Sequence, residues 1–436
     1  MSAPANDPSL PFLKAAREQI ATGDLKNAAL SLNKAAALWP QDPRSFRLAS
    51  VMAEKSGNPA GALEALRTAV ALSPDYVPAI LELALLLARQ NQFQEAIEWA
   101  ERVAAQDPRN PLVLAGVVDI AHRAGHTDMA VRHLRRGLAL VPGDVQLRRL
   151  LARDLGQLGK VDASLETWGA LVDENPADPE ARLGRVQTLI AAGRGAEAKP
   201  DTQALLSTAP DDAVYAYYDA IADGRTPSRQ PAALSRELYD NMASVYDQHT
   251  VRGLRYQLPQ RVAEGLQKQY PDKNINLLDL GCGTGLLGLF LGPMAGYVIG
   301  VDISAGMIEQ AARHQVYDKF HHVDIRDALA ETPDTQYDVI TALDVFIYLG
   351  ALDEAIANAL RILTAGGQLV FSCESAPENG HDLVLQANGR YAHKQSHIKA
   401  LCVQAGFAEV DLEDLEIRQE NHQAVHGYLV RARKAG

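Results

Sequence analysis

The stretch Ile275–Ser304, INLLDLGCGTGLLGLFLGPMAGYVIGVDIS, decides the fold of the second half of the chain. It begins with a short apolar run that ends at a glycine, as a buried parallel strand does. Alternating glycines follow at Gly281, Gly283 and Gly285, and then an apolar spacing typical of a helix. A second apolar run ends at Asp302. This order of strand, glycine turn, helix, strand and acid predicts a nucleotide-binding βαβ unit, in which the acid accepts hydrogen bonds from a ribose diol.

The glycine spacing separates two classes of cofactor. A dinucleotide fingerprint reads GxGxxG, whereas this turn reads GxGxG and follows Asp279, in the string LDLGCGTG. That string resembles motif I of the class I S-adenosylmethionine (SAM) methyltransferases. The resemblance implies SAM as the cofactor and S-adenosylhomocysteine (SAH) as the product. It also implies that the glycine turn passes the methionine part of SAM, while Asp302 holds the ribose hydroxyls.

The same resemblance extends to the ends of the next two strands. The acid after the third strand, Asp324 in FHHVD, is expected near the adenine amino group, with Ile325 beside it. The fourth strand, YDVITALD, ends at Asp344, where the family places the transferred methyl. The expected cofactor-binding residues are Asp279, Gly281, Cys282, Gly283, Gly285, Asp302, Ile303, Asp324, Ile325 and Asp344.

Four residues are candidates for roles at the methyl acceptor: Tyr246, His249, Tyr348 and His393. ASVYDQH resembles the AxxYD segment of many small-molecule methyltransferases, whose tyrosine helps to close the active site; core packing is the alternative for Tyr246. Tyr348 follows the fourth strand and is expected to border the substrate. A base is needed only if the acceptor carries a proton, and His249 and His393 are candidates for it. The alternative for each histidine is a surface or hydrogen-bonded core position.

The N-terminal half repeats every 34 residues. Turn residues recur at Gly23, Gly57, Asn91, Gly125, Gly159 and Gly193; prolines recur at Pro40, Pro74, Pro108, Pro142, Pro176 and Pro210; small residues recur at Ala28, Ala62, Ala96, Ala130, Ser164 and Ala198. The period and pattern resemble the tetratricopeptide repeat (TPR), in six helix–turn–helix copies over residues 8–212. Pro200 is expected inside the second helix of the sixth copy, which would then be bent or act as a cap. Residues 214–222 are expected to form a capping helix.

The sequence therefore predicts an α superhelix of TPR repeats over residues 1–225. An α/β Rossmann-like class I methyltransferase domain over residues 226–436, with a seven-stranded, mostly parallel sheet, is predicted to follow it. The polar segment 224–231 is expected to be the linker, and the segment after Cys373 is expected to continue as a loop, a helix and a strand. The C-terminal strings NGRYAH and HGYLV resemble those of bacterial predicted methyltransferases with TPR repeats.

Composition limits the partners. The net charge of −12 argues against a general nucleic-acid binder. No secretory signal or membrane-length apolar run is visible, and three scattered cysteines predict neither a disulfide framework nor a metal motif. These features predict a cytoplasmic protein without a metal or membrane association. An arginine cluster in the fourth and fifth repeats could dock an acidic segment of a partner or be an ordinary solvated face; it comprises Arg132, Arg135, Arg136, Arg148, Arg149 and Arg153.

Three functions remain open at this point. The first is a SAM-dependent methyltransferase acting on an O or N acceptor, whose repeats recruit a protein, peptide or carrier-bound substrate through their groove. The second is a methyltransferase of a small molecule or sugar, whose repeats serve only assembly. The third is a SAM-binding TPR scaffold without catalysis. Neither the acceptor nor the oligomeric state follows from the sequence.

Overall fold

The computed structural model describes residues 7–243, 246–247, 255–420 and 423–436. The chain forms two compact units, Met1–Thr188 and Leu189–Gly436, and each is described by itself. In the described residues, no helix is long and apolar enough to cross a membrane.

The first unit consists of antiparallel helix pairs. Its helices are α1 (Leu10–Thr22), α2 (Leu25–Leu38), α3 (Pro43–Lys55), α4 (Pro59–Leu72), α5 (Val77–Arg89), α6 (Phe93–Gln106), α7 (Pro111–Arg123), α8 (Thr127–Leu140), α9 (Val145–Gln157) and α10 (Val161–Glu174), followed by α11 (Pro179–Ala191), which ends in the second unit. The turn of two or three residues inside each pair needs one residue with positive φ, which the recurring glycine supplies; Asn91 supplies it in the third pair, with φ of 59°. Every recurring small residue, from Ala28 to Ala198, is fully buried. The predicted TPR architecture is confirmed.

The sixth pair is shortened. After α11 the chain forms a 3-10 turn, Gly195–Ala198, and then α12 (Lys199–Thr208) and α13 (Ala213–Ala222). Pro200 therefore occupies the first turn of a helix, where its missing N–H forfeits no hydrogen bond, and not a helix interior as the sequence predicted. The second helix is displaced by the 3-10 turn. α13 corresponds to the predicted capping helix.

The second unit places helices around one sheet. Its further helices are α14 (Ala232–Met242), α15 (Leu258–Gln269), α16 (Leu286–Leu291), α17 (Ala305–Ala312), α18 (Ile325–Glu331), α19 (Asp353–Ile362) and α20 (Gln395–Ala405). Its strands are β1 (Leu277–Leu280), β2 (Val298–Asp302), β3 (Lys319–His322), β4 (Tyr337–Ala342), β5 (Leu363–Ser375), β6 (Leu383–Leu385), β7 (Tyr391–His393), β8 (Glu409–Glu420) and β9 (Gln423–Arg433).

Seven strands form the core of the sheet, in the order β3-β2-β1-β4-β5-β9-β8. β9 runs antiparallel to both of its neighbours, and the other core strands are mutually parallel. This confirms the predicted seven-stranded, mostly parallel sheet. The order reverses between β1 and β4, and open α/β sheets bind their ligands beyond the carboxyl ends of the strands at such a point.

The segment predicted as a loop after β5 contains a hairpin. β6 and β7 pair antiparallel, and β7 continues the sheet by pairing with Glu374 and Ser375 at the end of β5. Three-residue strands carry too short an alternation to stand out in a sequence that also reads as a turn-rich loop.

The segment predicted as a linker is not a free connector. The Ser228 carbonyl accepts hydrogen bonds from the backbone N–H groups of Gly350 and Ala351, both at 2.9 Å. The Gln230 N–H donates to the Tyr348 carbonyl at 3.1 Å. Ser228 and Gln230 are thereby fixed against the chain that follows β4, so that this segment contributes a wall to the site described next.

Candidate active site

A cavity of about 750 Å³, part of it open to solvent, lies at the carboxyl ends of β1, β2, β3 and β4. It is lined by Gln230, Ala232, Ser235, Tyr239, Tyr246, Gly281, Gly283, Asp302, Ile303, Met307, Asp324, Ile325, Leu343, Asp344, Val345, Tyr348 and Leu349.

The glycine turn after β1 forms the floor of the cavity. Gly281 and Gly283 have φ of 63° and 54°. A Cβ on Gly281 would stand 2.3 Å from a methyl of Val345, whereas a Cβ on Gly283 would meet nothing within 4 Å. Gly281 is therefore required by protein packing, while the hydrogen of Gly283 leaves space on the cavity side that a ligand can occupy.

Asp302 ends β2 at the edge of the cavity. One carboxylate oxygen accepts from the Gly283 N–H at 2.8 Å, and the other accepts from the Ser304 N–H at 2.9 Å. Burial raises the pKa of Asp302, and these backbone N–H groups oppose that rise. Each oxygen keeps capacity for a further hydrogen bond, so the carboxylate fits a ligand that presents two hydroxyls.

Asp279 lies in β1 below the turn and outside the main cavity. Its two oxygens accept from the hydroxyls of Tyr317 and Thr341, each at 2.7 Å. Burial raises its pKa to about 6. Asp279 and Cys282 line a smaller neighbouring cleft on the other side of the turn, which Tyr246 also reaches. Because the hydroxyls of Tyr317 and Thr341 already bind both of its oxygens, Asp279 serves mainly to support the turn.

The residues after β3 lie at the opposite end of the cavity. The Asp324 carboxylate caps α18 by accepting from the Arg326 N–H at 2.9 Å, and it also pairs with the Arg326 guanidinium at 3.2 Å. Its pKa is raised, chiefly by burial. Ile303 and Ile325 provide apolar wall beside it. An acid between two apolar side chains suits a flat heteroaromatic group that carries an amino donor.

Asp344, after β4, is held by protein groups on several sides. Its φ of 58° is rare for a residue other than glycine, and such strain is commonly found at functional sites. Its N–H donates to the Ser372 hydroxyl at 2.8 Å, and one carboxylate oxygen accepts from Arg418 at 2.6 Å. Burial raises the pKa of Asp344, and the Arg418 charge opposes the rise.

Arg418 is fully buried behind Asp344 and uses its whole guanidinium on carboxylates. Besides Asp344 it contacts Glu374, and its Nε donates to Glu420 at 2.8 Å. Arg390 pairs with Glu420 as well and lies 3.8 Å from Glu374. Both arginines are thus engaged within the protein.

Three tyrosines form the wall nearest to Asp344. The hydroxyls of Tyr239 and Tyr348 are 2.6 Å apart, and their rings are nearly perpendicular, at 86°. The Tyr246 ring centroid lies 6.0 Å from that of Tyr239. Tyr239 was not among the site residues predicted from the sequence. Its spacing of seven from Tyr246, which places both on one helix face, was the available signal.

Asp240 and Asp247, which follow Tyr239 and Tyr246 in the chain, each accept a hydrogen bond from an element that borders the cavity. Asp240 accepts from the Ser304 hydroxyl at 2.5 Å and from the Gly306 N–H at 3.3 Å, at the start of α17. Asp247 accepts from the Thr284 hydroxyl at the glycine turn. Tyr239 and Tyr246 each stand directly before one of these acids, so the two contacts fix where both rings lie.

The predicted catalytic residues do not all meet at the cavity. Tyr246 and Tyr348 line it, whereas His249 lies outside the described residues. His393 is buried in β7 away from the cavity lining, and its Nε2 donates to the Gly350 carbonyl at 2.8 Å. Burial lowers its pKa to about 4, so the ring is neutral near pH 7. The structure places His393 as a support for the loop after β4 and not beside a substrate.

The comparisons with known proteins agree with this arrangement of the two halves. Residues 278–369 match the family model of a methyltransferase domain. Residues 13–77, 53–120 and 149–213 match models of the tetratricopeptide repeat. The chain is a TPR-repeat protein with a methyltransferase domain.

Individual relatives match only part of the chain. An uncharacterised protein of Haemophilus influenzae is 39% identical over 110 residues, which are 23% of this chain and 43% of that protein. A ubiquinone biosynthesis O-methyltransferase of Coxiella burnetii is 30% identical over 109 residues, 24% of this chain and 47% of that protein. The chain thus spans less than half the length of these curated relatives. Among solved structures, magnesium protoporphyrin IX methyltransferase of Synechocystis PCC 6803 with bound SAM aligns at 18% identity and a TM-score of 0.37, covering 48% of this chain and all of that one.

Proposed function

We propose that the protein is a SAM-dependent methyltransferase that transfers a methyl group to an O or N acceptor. The observation that carries the proposal is that Gly283 and Asp302 lie side by side in the cavity lining, joined by a hydrogen bond, at the point where the strand order of the sheet reverses. Gly283 leaves backbone space on the cavity floor, and Asp302 offers two acceptor oxygens beside it. This combination fits a nucleoside that carries an extended substituent, with the substituent lying over the glycine turn.

Each part of the cavity has a distinct role in this proposal. Asp302 binds the ribose hydroxyls, and Asp324 with Ile303 and Ile325 holds the adenine. Gly281 and Gly283 border the methionine part, and Asp279, supported by Tyr317, keeps the turn in place. SAM supplies a methyl group that is already activated, so the protein needs mainly to align the acceptor and exclude water. Tyr239, Tyr246 and Tyr348 enclose the end where the acceptor enters.

The repeats are proposed to recruit a protein, peptide or carrier-bound substrate. A groove in the first unit supports this role, because it is lined from the first helices of successive repeats and exposes apolar surface, including Leu112, which is 75% exposed. Arg17 and Lys55 add positive charge to the groove, which favours a partner segment with acidic residues.

The arginine cluster of the fourth and fifth repeats offers less to a partner. Arg132 pairs with Glu101, Arg148 with Glu174 at 2.5 Å, and Arg149 with Asp178 at 2.5 Å. These ion pairs link neighbouring helices, which favours the solvated structural face over a docking site. The partner surface is therefore proposed in the groove.

Transfer of labelled methyl groups tests the enzymatic proposal. Purified full-length protein is incubated with methyl-labelled SAM and a cell lysate depleted of its own SAM, and labelled products are separated by size. The wild type and an Asp327→Asn control, which changes an exposed acid on α18, should label the same acceptor. A folded Asp302→Asn variant should label it at least about tenfold more slowly, since hydrogen bonds to a charged acceptor contribute about 1.5–3 kcal/mol each. Equal labelling by Asp302→Asn, or none by the wild type in any fraction, would reject the proposal.

A further inference from the structure

The wall of the cavity beyond the proposed cofactor contains aromatic rings and carboxylates. Tyr239, Tyr246 and Tyr348 are each half-buried, so part of every ring reaches the cavity. The ring planes of Tyr239 and Tyr348 stand at 86° with their centroids 5.8 Å apart, and those of Tyr239 and Tyr246 stand at 65° with their centroids 6.0 Å apart. Rings at such angles meet edge to face, so Tyr239 is stacked face to face on neither of the other two.

The charges of this wall are negative. Among the described residues that line the cavity, the acidic side chains are Asp302, Asp324 and Asp344, and there is no lysine, arginine or histidine. Asp302 and Asp324 lie toward the ends of β2 and β3, which leaves Asp344 beside the tyrosines at the end of β4. An anionic acceptor such as a carboxylate or a phosphate would therefore meet a carboxylate and no basic side chain of the described lining.

The nearby arginines do not reverse this charge. The guanidinium of Arg418 is 2% exposed and is shared among Asp344, Glu374 and Glu420. Arg390 pairs with Glu420 and Glu374. In this cluster two guanidinium groups thus pair with three carboxylates, which leaves one carboxylate in excess.

We infer that Tyr239, Tyr246 and Tyr348, together with Asp344, form a cage for a cationic nitrogen, and that the methyl acceptor is an amine. This inference rests on the proposed function. Tyrosine faces attract an ammonium group through the ring quadrupole, and quaternary ammonium groups are recognised in this way. The Asp344 carboxylate adds electrostatic attraction, which its ion pair with Arg418 partly offsets.

The transfer step balances with these groups. The ammonium form of a primary or secondary amine first releases one proton to water. The nitrogen lone pair then forms the new N–C bond while the S–C bond breaks, and the electron pair of that bond remains on sulfur. The positive charge moves from sulfur to nitrogen, where the ring faces and Asp344 stabilise it as it develops.

The test compares a cation with a neutral molecule of the same shape. Choline and its carbon isostere 3,3-dimethylbutan-1-ol are titrated by ligand-detected NMR into the full-length protein, with and without saturating SAH. We expect choline to bind the SAH-loaded protein about tenfold more tightly than the isostere, as one or two cation–π contacts predict. Equal binding of the two probes would overturn the inference, as would a choline preference that SAH abolishes, since the cage would then serve the sulfonium of SAM alone.

Paired variants separate the ring face from the hydroxyl. Tyr348→Phe keeps the face and loses the hydrogen bond to Tyr239, whereas Tyr348→Leu loses both. Choline affinity should stay within about threefold in the first and fall about tenfold in the second. An equal loss in both would show that only the hydrogen bond matters and would overturn the cage.

Controls keep this result independent of folding and of the cofactor. Tyr246→Phe and Tyr246→Leu give a second pair, and Tyr297→Leu changes a tyrosine that is 67% exposed outside the cavity. Titration of SAH into each variant tests the proposed function separately. Protein that binds SAH without preferring choline contradicts the cage alone, while protein that prefers choline without binding SAH contradicts the cofactor alone.

Discussion

At the scale of single residues, the cavity depends on acids that have different surroundings. Asp302 is bound by backbone N–H groups and keeps acceptor capacity, whereas Asp279 is enclosed by two hydroxyls. Asp344 is tied to a buried arginine in a backbone conformation that is rare for aspartate. We therefore propose distinct roles for three acids at the ends of neighbouring strands: ligand binding for Asp302, support of the turn for Asp279 and definition of the acceptor wall for Asp344.

Asp279 gives a prediction about stability and pH. Its pKa is raised to about 6 in the folded protein from 3.8, so the folded state binds its proton more tightly than the unfolded state. Its contribution to stability is therefore fully present below pH 3.8 and is lost as the pH rises through 6. Asp279→Asn cannot ionise. Relative to this variant, the wild type should lose about 2 kcal/mol of unfolding free energy between pH 4.5 and pH 7.5.

Denaturant unfolding of both proteins at several pH values measures this difference. The matched control is Asp327→Asn, which alters an exposed acid and should follow the wild type at every pH. If the difference in unfolding free energy between the wild type and Asp279→Asn stays constant from pH 4.5 to pH 7.5, Asp279 is already charged in the folded state at acid pH. That result would contradict the prediction.

Residues that line the cavity could be predicted from the sequence wherever the signal came from their immediate neighbours in the chain. The glycine turn, Asp302 and Asp324 follow strands directly, so their positions follow from the order of the elements. Tyr239 was missed because its partner, Tyr348, is 109 residues away, and no local pattern reports such a contact. His393 was selected for its chemistry, but its burial in a short strand lies beyond what residue type can show. The roles of all these residues toward SAM stay predictions.

At the scale of the elements, β8 is attached to the active-site wall through one side chain. The pairing of β8 with β9 shifts register between Glu416 and Arg418, which makes Ile417 an extra residue. Such a bulge redirects the side chains that follow it. Arg418 thereby reaches Asp344 after β4 and Glu374 in β5, and a strand at the edge of the core sheet helps to fix a loop near its centre.

Arg418→Met should therefore destabilise the second unit. Removing the guanidinium leaves Asp344 without its cation and leaves Glu374 and Glu420 to share Arg390, and breaking a buried pair in this way costs about 3–5 kcal/mol. For a unit of this size, thermal unfolding should shift down by roughly 10 °C. Differential scanning calorimetry measures the shift.

Arg431→Met is the matched control for this measurement. Arg431 lies on β9, is partly exposed and pairs with Glu413 at 3.0 Å, so its loss should cost no more than about 1 kcal/mol. Equal midpoints for Arg418→Met and Arg431→Met would contradict a structural role for the buried network.

The sequence predicted the regular elements better than the irregular ones. The 34-residue period and the alternation of strands and helices are repeated signals, and they specified the helix pairs and the core sheet. The β6–β7 hairpin, the 3-10 turn before α12 and the bulge at Ile417 each depend on contacts with distant chain. Pro200 illustrates the difference, since the 34-residue register placed it inside a helix that in fact begins one residue before it.

At the scale of the whole molecule, the proposal assigns recruitment to the repeats and chemistry to the second unit. Leu112→Asp places a charge in the groove of the first unit, at a position that is 75% exposed, so folding should be little affected. If the groove binds the substrate, labelling of a macromolecular acceptor in lysate should fall several-fold, while the dissociation constant for SAH should stay within about twofold.

Leu30→Asp is the control for the groove. Leu30 is 58% exposed on α2 and does not line the groove, so its variant should label the acceptor as the wild type does. If Leu112→Asp labels every acceptor at the wild-type rate, the repeats do not recruit the substrate through this groove. A labelled acceptor of small size would favour the reading in which the repeats serve assembly.

Calorimetric titration of the full-length protein with SAM and with SAH tests the proposed cofactor site most directly. We expect saturable binding of both, retained in Asp327→Asn and weakened at least about tenfold in Asp302→Asn, because two hydrogen bonds to the ribose are lost or altered. Thermal unfolding of each protein confirms that it is folded before titration. Failure of the folded wild type to bind either compound, or equal affinity in Asp302→Asn, would contradict the account.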